Sequence, residues 1–146
     1  MAASLTPSLA AAWTQPGAPI SVGDGPFGIA ATTTDLWVTN FFHGTVTRIS
    51  PEGAVLRTFA VGDGAAHIAV DGTTLWITAN GINKLVKVDS KTGAVLGTFD
   101  TDGAPYGVAW GPNGQVYVAA SLADAVSRIA RTAVPAAIVG RAARTH

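Results

Sequence analysis

Few side chains in this sequence are capable of chemistry, and two histidines come first among them. His43 and His67 could each act as an acid or a base near neutral pH. No residue close to His43 in the sequence is suited to orient its ring. The single glutamate, Glu52, stands in a turn-like stretch, so neither paired carboxylates nor a Ser-His-Asp arrangement can be drawn. These patterns predict no catalytic residues.

The overall composition excludes several classes of function. The 146 residues include nine basic and nine acidic side chains, which gives no general attraction to nucleic acid or to acidic membranes. Cysteine is absent, which excludes disulfides and thiolate chemistry. No apolar run approaches the roughly 20 residues of a membrane-spanning helix, and the N-terminus lacks the basic start of a secretory signal. We expect a soluble protein, cytoplasmic or exported, with no nucleic-acid or membrane partner.

A block of about forty residues is repeated three times along the chain. Asp24, Asp63 and Asp102 are spaced 39 residues apart, and Trp37 and Trp76 have the same spacing. Each copy contains short strand-like runs separated by turn residues, and in the first copy these runs are 27–31, 35–39, 45–49 and 55–59. Four short antiparallel strands in about forty residues are typical of one β-propeller blade.

We therefore predict an all-β chain of three propeller blades, each with four antiparallel strands. The innermost strand of each blade is apolar on both faces, and the outer strand of the third blade is predicted at 137–139. The predicted divisions, in chain order, are an N-terminal extension at 1–19, an outer strand of the preceding blade at 20–22, blades at about 23–60, 61–100 and 101–140, and a basic C-terminal tail at 141–146.

Three blades cannot close a ring, because propellers have four to eight. If each open blade face buries on the order of 500 Å² of apolar surface in a ring, closing one interface contributes roughly 12 kcal/mol. Our hypothesis is that two chains join head-to-tail into a six-bladed ring, with residues 20–22 completing a blade of the partner. The predicted partner is thus a second copy in a homodimer. The alternative is that the chain is a fragment of a longer propeller.

The blade sequences resemble a known family. Residues 25–29 (GPFGI), 36–40 (LWVTN) and 46–53 (VTRISPEG) are similar to blades of the virginiamycin B lyase (streptogramin lyase) family and of the broader YVTN and NHL-type bacterial propellers. The resemblance covers about Val22 to Ile129. It implies a six- or seven-bladed ring whose binding face carries the loops that enter each innermost strand and leave each second strand.

The resemblance also implies which positions of this chain would hold the catalytic residues of a lyase. The family opens a cyclic depsipeptide ring by elimination, with a catalytic histidine, a glutamate and magnesium. The histidine position is filled here by Phe27, Ala66 and Tyr106, and the glutamate position by Asn40, Ala79 and Ala120. We therefore predict a ligand- or protein-binding propeller module without a cofactor. The alternative is a lyase-like or lactonase-like enzyme with a metal, such as Mg²⁺, at the channel mouth.

The predicted binding face contains eight candidate ligand-binding residues. Phe41 and Phe42 are adjacent aromatics in a loop and cannot both be buried in one sheet face. His67 begins an inner strand that faces the channel, where its ring either hydrogen-bonds to another blade or binds a ligand. The others lie near the starts of inner strands or beyond the ends of second strands. The full set is Phe27, Asn40, Phe41, Phe42, His43, His67, Asn80 and Tyr106.

The repeated aspartates have two interpretations. A ring of carboxylates from Asp24, Asp63 and Asp102 could hold a cation at the channel mouth. Each carboxylate could instead bond to nearby backbone N–H groups in its Asp-Gly turn. The aromatic side chains that recur on the second strand, Trp37 and Trp76 among them, are interpreted as packing residues.

Overall fold

The computed structural model of the protein describes residues 17–132 and 140–141. These residues form twelve strands and one turn of 3₁₀ helix at Asn80–Ile82, which confirms the predicted all-β class. The strands are β1 (Pro26–Ala31), β2 (Leu36–Asn40), β3 (Thr45–Ile49), β4 (Val55–Ala60), β5 (Ala65–Asp71), β6 (Thr74–Ala79), β7 (Lys84–Asp89), β8 (Val95–Asp100), β9 (Pro105–Trp110), β10 (Gln115–Ala120), β11 (Ala125–Ala130) and β12 (Gly140–Arg141).

The strands are arranged in three separate sheets of four, each of which follows the chain order. Neighbouring strands within a sheet are antiparallel. Each sheet is therefore the meander of one propeller blade, as predicted. We call β1–β4 blade 1, β5–β8 blade 2 and β9–β12 blade 3.

The inner strands begin earlier than the sequence pattern indicates. In the second and third copies of the repeat, the sequence pattern predicts innermost strands at 68–70 and 108–110, whereas β5 starts at Ala65 and β9 at Pro105. In both blades the pairing between the inner and second strands is interrupted by a register shift. A bulge interrupts the alternation of inward and outward side chains. The first residues of these strands therefore lack the two-residue pattern by which a strand is predicted from sequence.

Two apolar clusters hold the three blades together. The first lies between blades 1 and 2 and includes Trp37, and the second lies between blades 2 and 3 and includes Trp76. Both indoles are buried, which confirms that they are packing residues. Each also lies opposite a basic side chain of the third strand, with Arg48 Cζ 5.3 Å from the Trp37 ring and Lys87 Nζ 5.2 Å from the Trp76 ring.

A threonine on the second strand joins each of the first two blades to the next. Thr39 Oγ1 accepts a hydrogen bond from Gly28 N at 2.7 Å and donates one to Ala66 O of blade 2 at 2.5 Å. Thr78 Oγ1 repeats this arrangement, accepting from His67 N and donating to Tyr106 O of blade 3. We call Thr39 and Thr78 the blade-bridging threonines. The same position in blade 3 is Ala119, which has no hydroxyl.

Residue 104 is expected to be a site of backbone strain. Ala104 has φ +55°, a left-handed conformation that favours glycine over any residue with a Cβ. We expect Ala104→Gly to raise the free energy of unfolding by about 1 kcal/mol, the strain relief exceeding the added entropy of the unfolded chain. Ala109→Gly, in a strand, is the matched control and should be destabilising. Urea denaturation measures both; a loss of stability in Ala104→Gly would contradict the expectation.

The ends of the chain are described only in part. Residues 17–25 contain no strand, so 20–22 pair with no strand of the described chain, and the predicted domain boundaries remain predictions. The strand predicted at 137–139 lies outside the described residues, as does the basic tail except for Arg141 in β12. No helix within 17–132 or 140–141 is long and apolar enough to cross a membrane.

Candidate functional site

One edge of the three sheets carries most of the predicted site. In an antiparallel meander, the loops that enter the first strand and leave the second strand lie at the same edge. Backbone hydrogen bonds tie these loops together, for example from Phe41 N to Gly25 O at 2.7 Å and from Asn80 N to Gly64 O at 2.9 Å. We call this edge the loop face.

Five of the eight predicted residues meet in a group of rings on the loop face. The Phe27 ring lies 5.5 Å from that of Phe41, 5.3 Å from that of His67 and 6.0 Å from that of Tyr106, between centroids. Phe42 extends the group, 5.5 Å from Phe41 in an edge-to-face arrangement. These are favourable distances for aromatic pairs. We call the five residues the aromatic cluster.

Phe27 and Tyr106 come from blades 1 and 3, and their contact has a simple cause. Both hold the second position of an inner strand, and the equivalent residue between them in blade 2 is Ala66. Because Ala66 carries no ring, the two aromatic side chains reach each other across it. Gly28 brings the inner strands together as well, since a Cβ at that position would lie 2.4 Å from Ala66 O. The small residues Gly28 and Ala66 therefore allow the cluster to form.

The aromatic cluster is open to solvent. Phe27 is 52% exposed although it contacts three other rings, and Phe42 is 74% exposed. His67 is exposed too, whereas Phe41 and Tyr106 are half-buried. Contiguous apolar surface of this kind on a folded protein marks interaction sites more often than isolated exposed residues do.

The other three predicted residues are engaged by the protein itself. Asn40 is buried, and its Nδ2 donates to Thr45 Oγ1 at 3.0 Å and to Thr47 Oγ1 at 2.9 Å. Asn80 Nδ2 donates to Pro105 O at the start of blade 3. His43 Nδ1 accepts a hydrogen bond from Asp24 N at 3.0 Å. These bonds fix the loops around the aromatic cluster, and ligand contact by the three side chains remains a prediction.

The three repeated aspartates all take part in hydrogen bonds. The backbone carbonyls of Asp24 and Asp63 accept hydrogen bonds from Phe42 N and Gly81 N, which closes each Asp-Gly loop. The carboxylate of Asp102 accepts one at Oδ2 from Ser127 Oγ at 2.9 Å.

The residues of the loop face do not fit a magnesium ion. The positions that the lyase resemblance assigns to histidine and glutamate hold aromatic, alanine and asparagine side chains, none of which carries an imidazole or a carboxylate. Among residues 17–132, no three His, Asp or Glu side chains are grouped closely enough to hold a metal. Oxygen ligands, above all carboxylates, are what this cation prefers.

The opposite edge has a polar depression that the sequence did not predict. It is lined by Trp37 and by hydroxyl and charged side chains of the turns between strands, among them Thr34, Ser90 and Lys91. Asp35 and Arg48, which also line it, form an ion pair at 2.6 Å and so neutralise each other. The only hint of this depression in the sequence is the basic residue Arg48, which lies opposite Trp37. The same kind of pair, Trp76 with Lys87, occurs in blade 2, so it does not by itself indicate a binding site.

Comparison with known proteins supports the fold. No protein-family model matches the chain, and no curated protein sequence does. Among solved structures, virginiamycin B lyase from Staphylococcus aureus is 22% identical over 73% of this chain, with a TM-score of 0.65. A streptogramin B lyase structure is 23% identical over 76%, with a TM-score of 0.65. Hydrazine synthase of Kuenenia stuttgartiensis is 22% identical over 80%, with a TM-score of 0.71.

The chain has a lyase-like propeller fold. The resemblance read from the blade sequences is confirmed at this level, and identities of 22–23% show the fold alone. The chain spans 38% and 39% of the two lyase chains and 36% of the hydrazine synthase chain. Activities and ligands of those proteins therefore belong to them, since one propeller fold serves many unrelated functions.

Proposed function

We propose that this chain is a ligand-binding propeller module whose aromatic cluster holds an apolar or aromatic group of its ligand. The observation that carries the proposal is Phe27, which contacts rings from all three blades and is still 52% exposed. A side chain that served only to join the blades would be covered by them, as Trp76 is. The group to be bound is a ring of a small molecule or a side chain of a protein.

The arrangement of the cluster suits this role. Phe41 and Phe42 meet edge-to-face at 86°, so that the two rings present surfaces in different directions. The rings of Phe27 and Tyr106 are nearly parallel, with 25° between their planes. Aromatic side chains supply large contact area with few rotatable bonds, which keeps the entropy lost on binding small. The exposed His67 ring and the Tyr106 hydroxyl add polar groups to the cluster.

The lyase-like or lactonase-like alternative rests on the fold alone. It requires a histidine and an acidic or metal-bound group around one substrate, whereas His43 Nδ1 already accepts a bond from Asp24 N. Within residues 17–132, no three His, Asp or Glu side chains are grouped closely enough to hold a metal. The alternative is tested by incubating the purified chain with a streptogramin B antibiotic and following ring opening by mass spectrometry. We expect no ring-opened product; turnover lost in His43→Ala or His67→Ala would establish the enzyme instead.

Binding of an aromatic probe is expected to depend on Phe27. In a titration with N-acetyl-tryptophanamide followed by NMR, Phe27→Ala should weaken binding about tenfold, because one stacked ring and its buried area are lost. Leu96→Ala is the matched control, since Leu96 is similarly exposed at 50% but lies on the outer strand β8. Equal affinity for the wild type and Phe27→Ala, or an equal loss in Leu96→Ala, would contradict the proposed function.

A further inference from the structure

The polar depression on the edge opposite the loop face lies at the seam between blades 1 and 2, and we call it the seam depression. Blade 1 contributes its β1–β2 turn and the side chains of Asp35, Trp37 and Arg48. Blade 2 contributes its β5–β6 and β7–β8 turns. The volume is about 270 Å³, close to the lower limit of roughly 300 Å³ for pockets that hold small molecules. The seam depression is therefore large enough for a small ligand.

The blade 1 side of the seam depression holds an arginine in a fixed position. Arg48 Nε and Nη2 donate hydrogen bonds to Asp35 Oδ2 at 3.0 Å and 2.6 Å. The guanidinium carbon also lies 5.3 Å from the centroid of the Trp37 ring. Asp35 is buried, whereas the Arg48 side chain is 31% exposed, and its Nη1 meets no acceptor among the described residues. A guanidinium held in this way can bind an anion with little further loss of side-chain entropy.

The turns around the seam depression supply further hydrogen-bond donors that the described chain does not use. The ammonium of Lys91 makes no ion pair and no hydrogen bond with any residue of 17–132 or 140–141. The hydroxyls of Thr33, Thr73 and Ser90 likewise have no partner in that part of the chain. The nearby carboxylate of Asp89 does not line the seam depression, and its Oδ1 accepts a hydrogen bond from Lys91 N at 2.8 Å.

The charge of the seam depression favours an anion. Arg48 and Lys91 carry two positive charges and Asp35 carries one negative charge, which leaves a net charge of +1. Three hydroxyls, an ammonium and one guanidinium nitrogen can all donate hydrogen bonds to a ligand. An oxyanion has the opposite charge, and its oxygens accept several charge-assisted hydrogen bonds at once.

The repeat identifies the residue that holds the corresponding position at the seam between blades 2 and 3. In blade 2, Ser90 N donates a hydrogen bond to Thr73 O at 2.8 Å. In blade 3, Arg131 N donates to Gly114 O at 3.3 Å, and each of the two pairs spans 17 residues. Arg131 is therefore the repeat equivalent of Ser90.

At the seam between blades 2 and 3, Arg131 reaches back to the preceding blade. Its Nε lies 3.4 Å from Asp71 Oδ2, and its carbonyl oxygen accepts a hydrogen bond from Lys87 Nζ at 2.9 Å. The residue of blade 1 that lies 39 positions before Asp71 is Thr32, which lines the seam depression. Short hydroxyl side chains thus stand between blades 1 and 2 where an ion pair stands between blades 2 and 3.

We propose that the seam depression binds the oxyanion group, phosphate or carboxylate, of a small molecule. Arg48 and Lys91 balance its charge from the two blades, and the hydroxyls of Thr33, Thr73 and Ser90 donate to its oxygens. The bound group also joins blade 1 to blade 2, because it contacts turns of both. This site lies on the edge opposite the aromatic cluster and is independent of the function proposed for that cluster.

Titration with inorganic phosphate, and separately with acetate, tests the site. NMR at an ionic strength held constant with sodium chloride follows the indole N–H signal of Trp37, which lines the seam depression. We expect saturable binding of at least one of the two ions. Lys91→Ala should weaken it about tenfold, because a charge-assisted hydrogen bond is lost. Lys84→Ala is the matched control, since it removes the same charge at the loop-face end of β7. No saturable binding of either ion, or an equal loss in the two variants, would overturn the proposal.

Closing the seam depression with the ion pair of the other seam provides a second test. The double variant Thr32→Asp/Ser90→Arg copies Asp71 and Arg131 and leaves the net charge unchanged. We expect its affinity for the ion that the wild type binds to fall at least tenfold, because the new side chains occupy the space of the ligand. Urea denaturation checks that the variant is folded. Wild-type affinity in the folded double variant would show that the ion binds elsewhere and would also overturn the proposal.

Discussion

The Trp76→Ala variant is expected to lose about 4 kcal/mol of unfolding free energy, a large part of the stability of a small domain. Trp76 is fully buried between blades 2 and 3, where its ring lies 5.9 Å from that of Phe99. The strands on both sides are fixed by their hydrogen-bonded ladders, so they cannot collapse into the cavity that the indole would leave. Urea denaturation at one fixed protein concentration measures the loss.

Trp76→Phe is the matched control for this cavity. The indole Nε1 of Trp76 has no hydrogen-bond partner among the described residues, so phenylalanine removes volume without breaking a bond. We expect a loss of about 2 kcal/mol, half of the loss in Trp76→Ala. A loss below about 1 kcal/mol in Trp76→Ala would mean that the blades do not pack through this residue.

Thr39→Val is expected to cost about 2 kcal/mol, although the two side chains have the same shape. The hydroxyl of Thr39 is buried and serves two backbone groups, Gly28 N of its own blade and Ala66 O of the next. Valine would leave both groups in the interface without this partner, and the cost of burying them unpaired exceeds the gain from an added methyl group. Thermal or urea unfolding gives the difference.

Two variants control for the threonine prediction. Thr39→Ser keeps the hydroxyl and should recover at least half of the loss in Thr39→Val. Thr98→Val alters an exposed strand residue of β8 and should change stability by no more than about 0.5 kcal/mol. If Thr39→Val were as stable as the wild type, the blades would not be joined through this hydroxyl.

The blades could be predicted from the sequence because each strand shows its own pattern of alternating residues, and this pattern recurs in each copy of the repeat. Alternation in 45–49 and the recurring Trp37 and Trp76 lead directly to β3 and to the two buried indoles. Strands and their buried faces depend on neighbours two residues away, which a single sequence displays. The inner strands were predicted less well, since bulges break the pattern at their starts.

The candidate site was only partly readable from the sequence. Phe27 and Tyr106 have the same repeat position, but their contact depends on the angle between blades and on the absence of a ring at Ala66. His43 suggested acid–base chemistry, whereas the fold brings it to Asp24 N, 19 residues away along the chain. Such contacts are set by how loops from different strands meet, and no local pattern records them.

The molar mass of the chain in solution tests the need for a second copy most directly. Light scattering at micromolar concentration should give twice the 14.7 kDa of one chain. A stable species of 14.7 kDa in the wild type, soluble and cooperatively folded, would contradict the account.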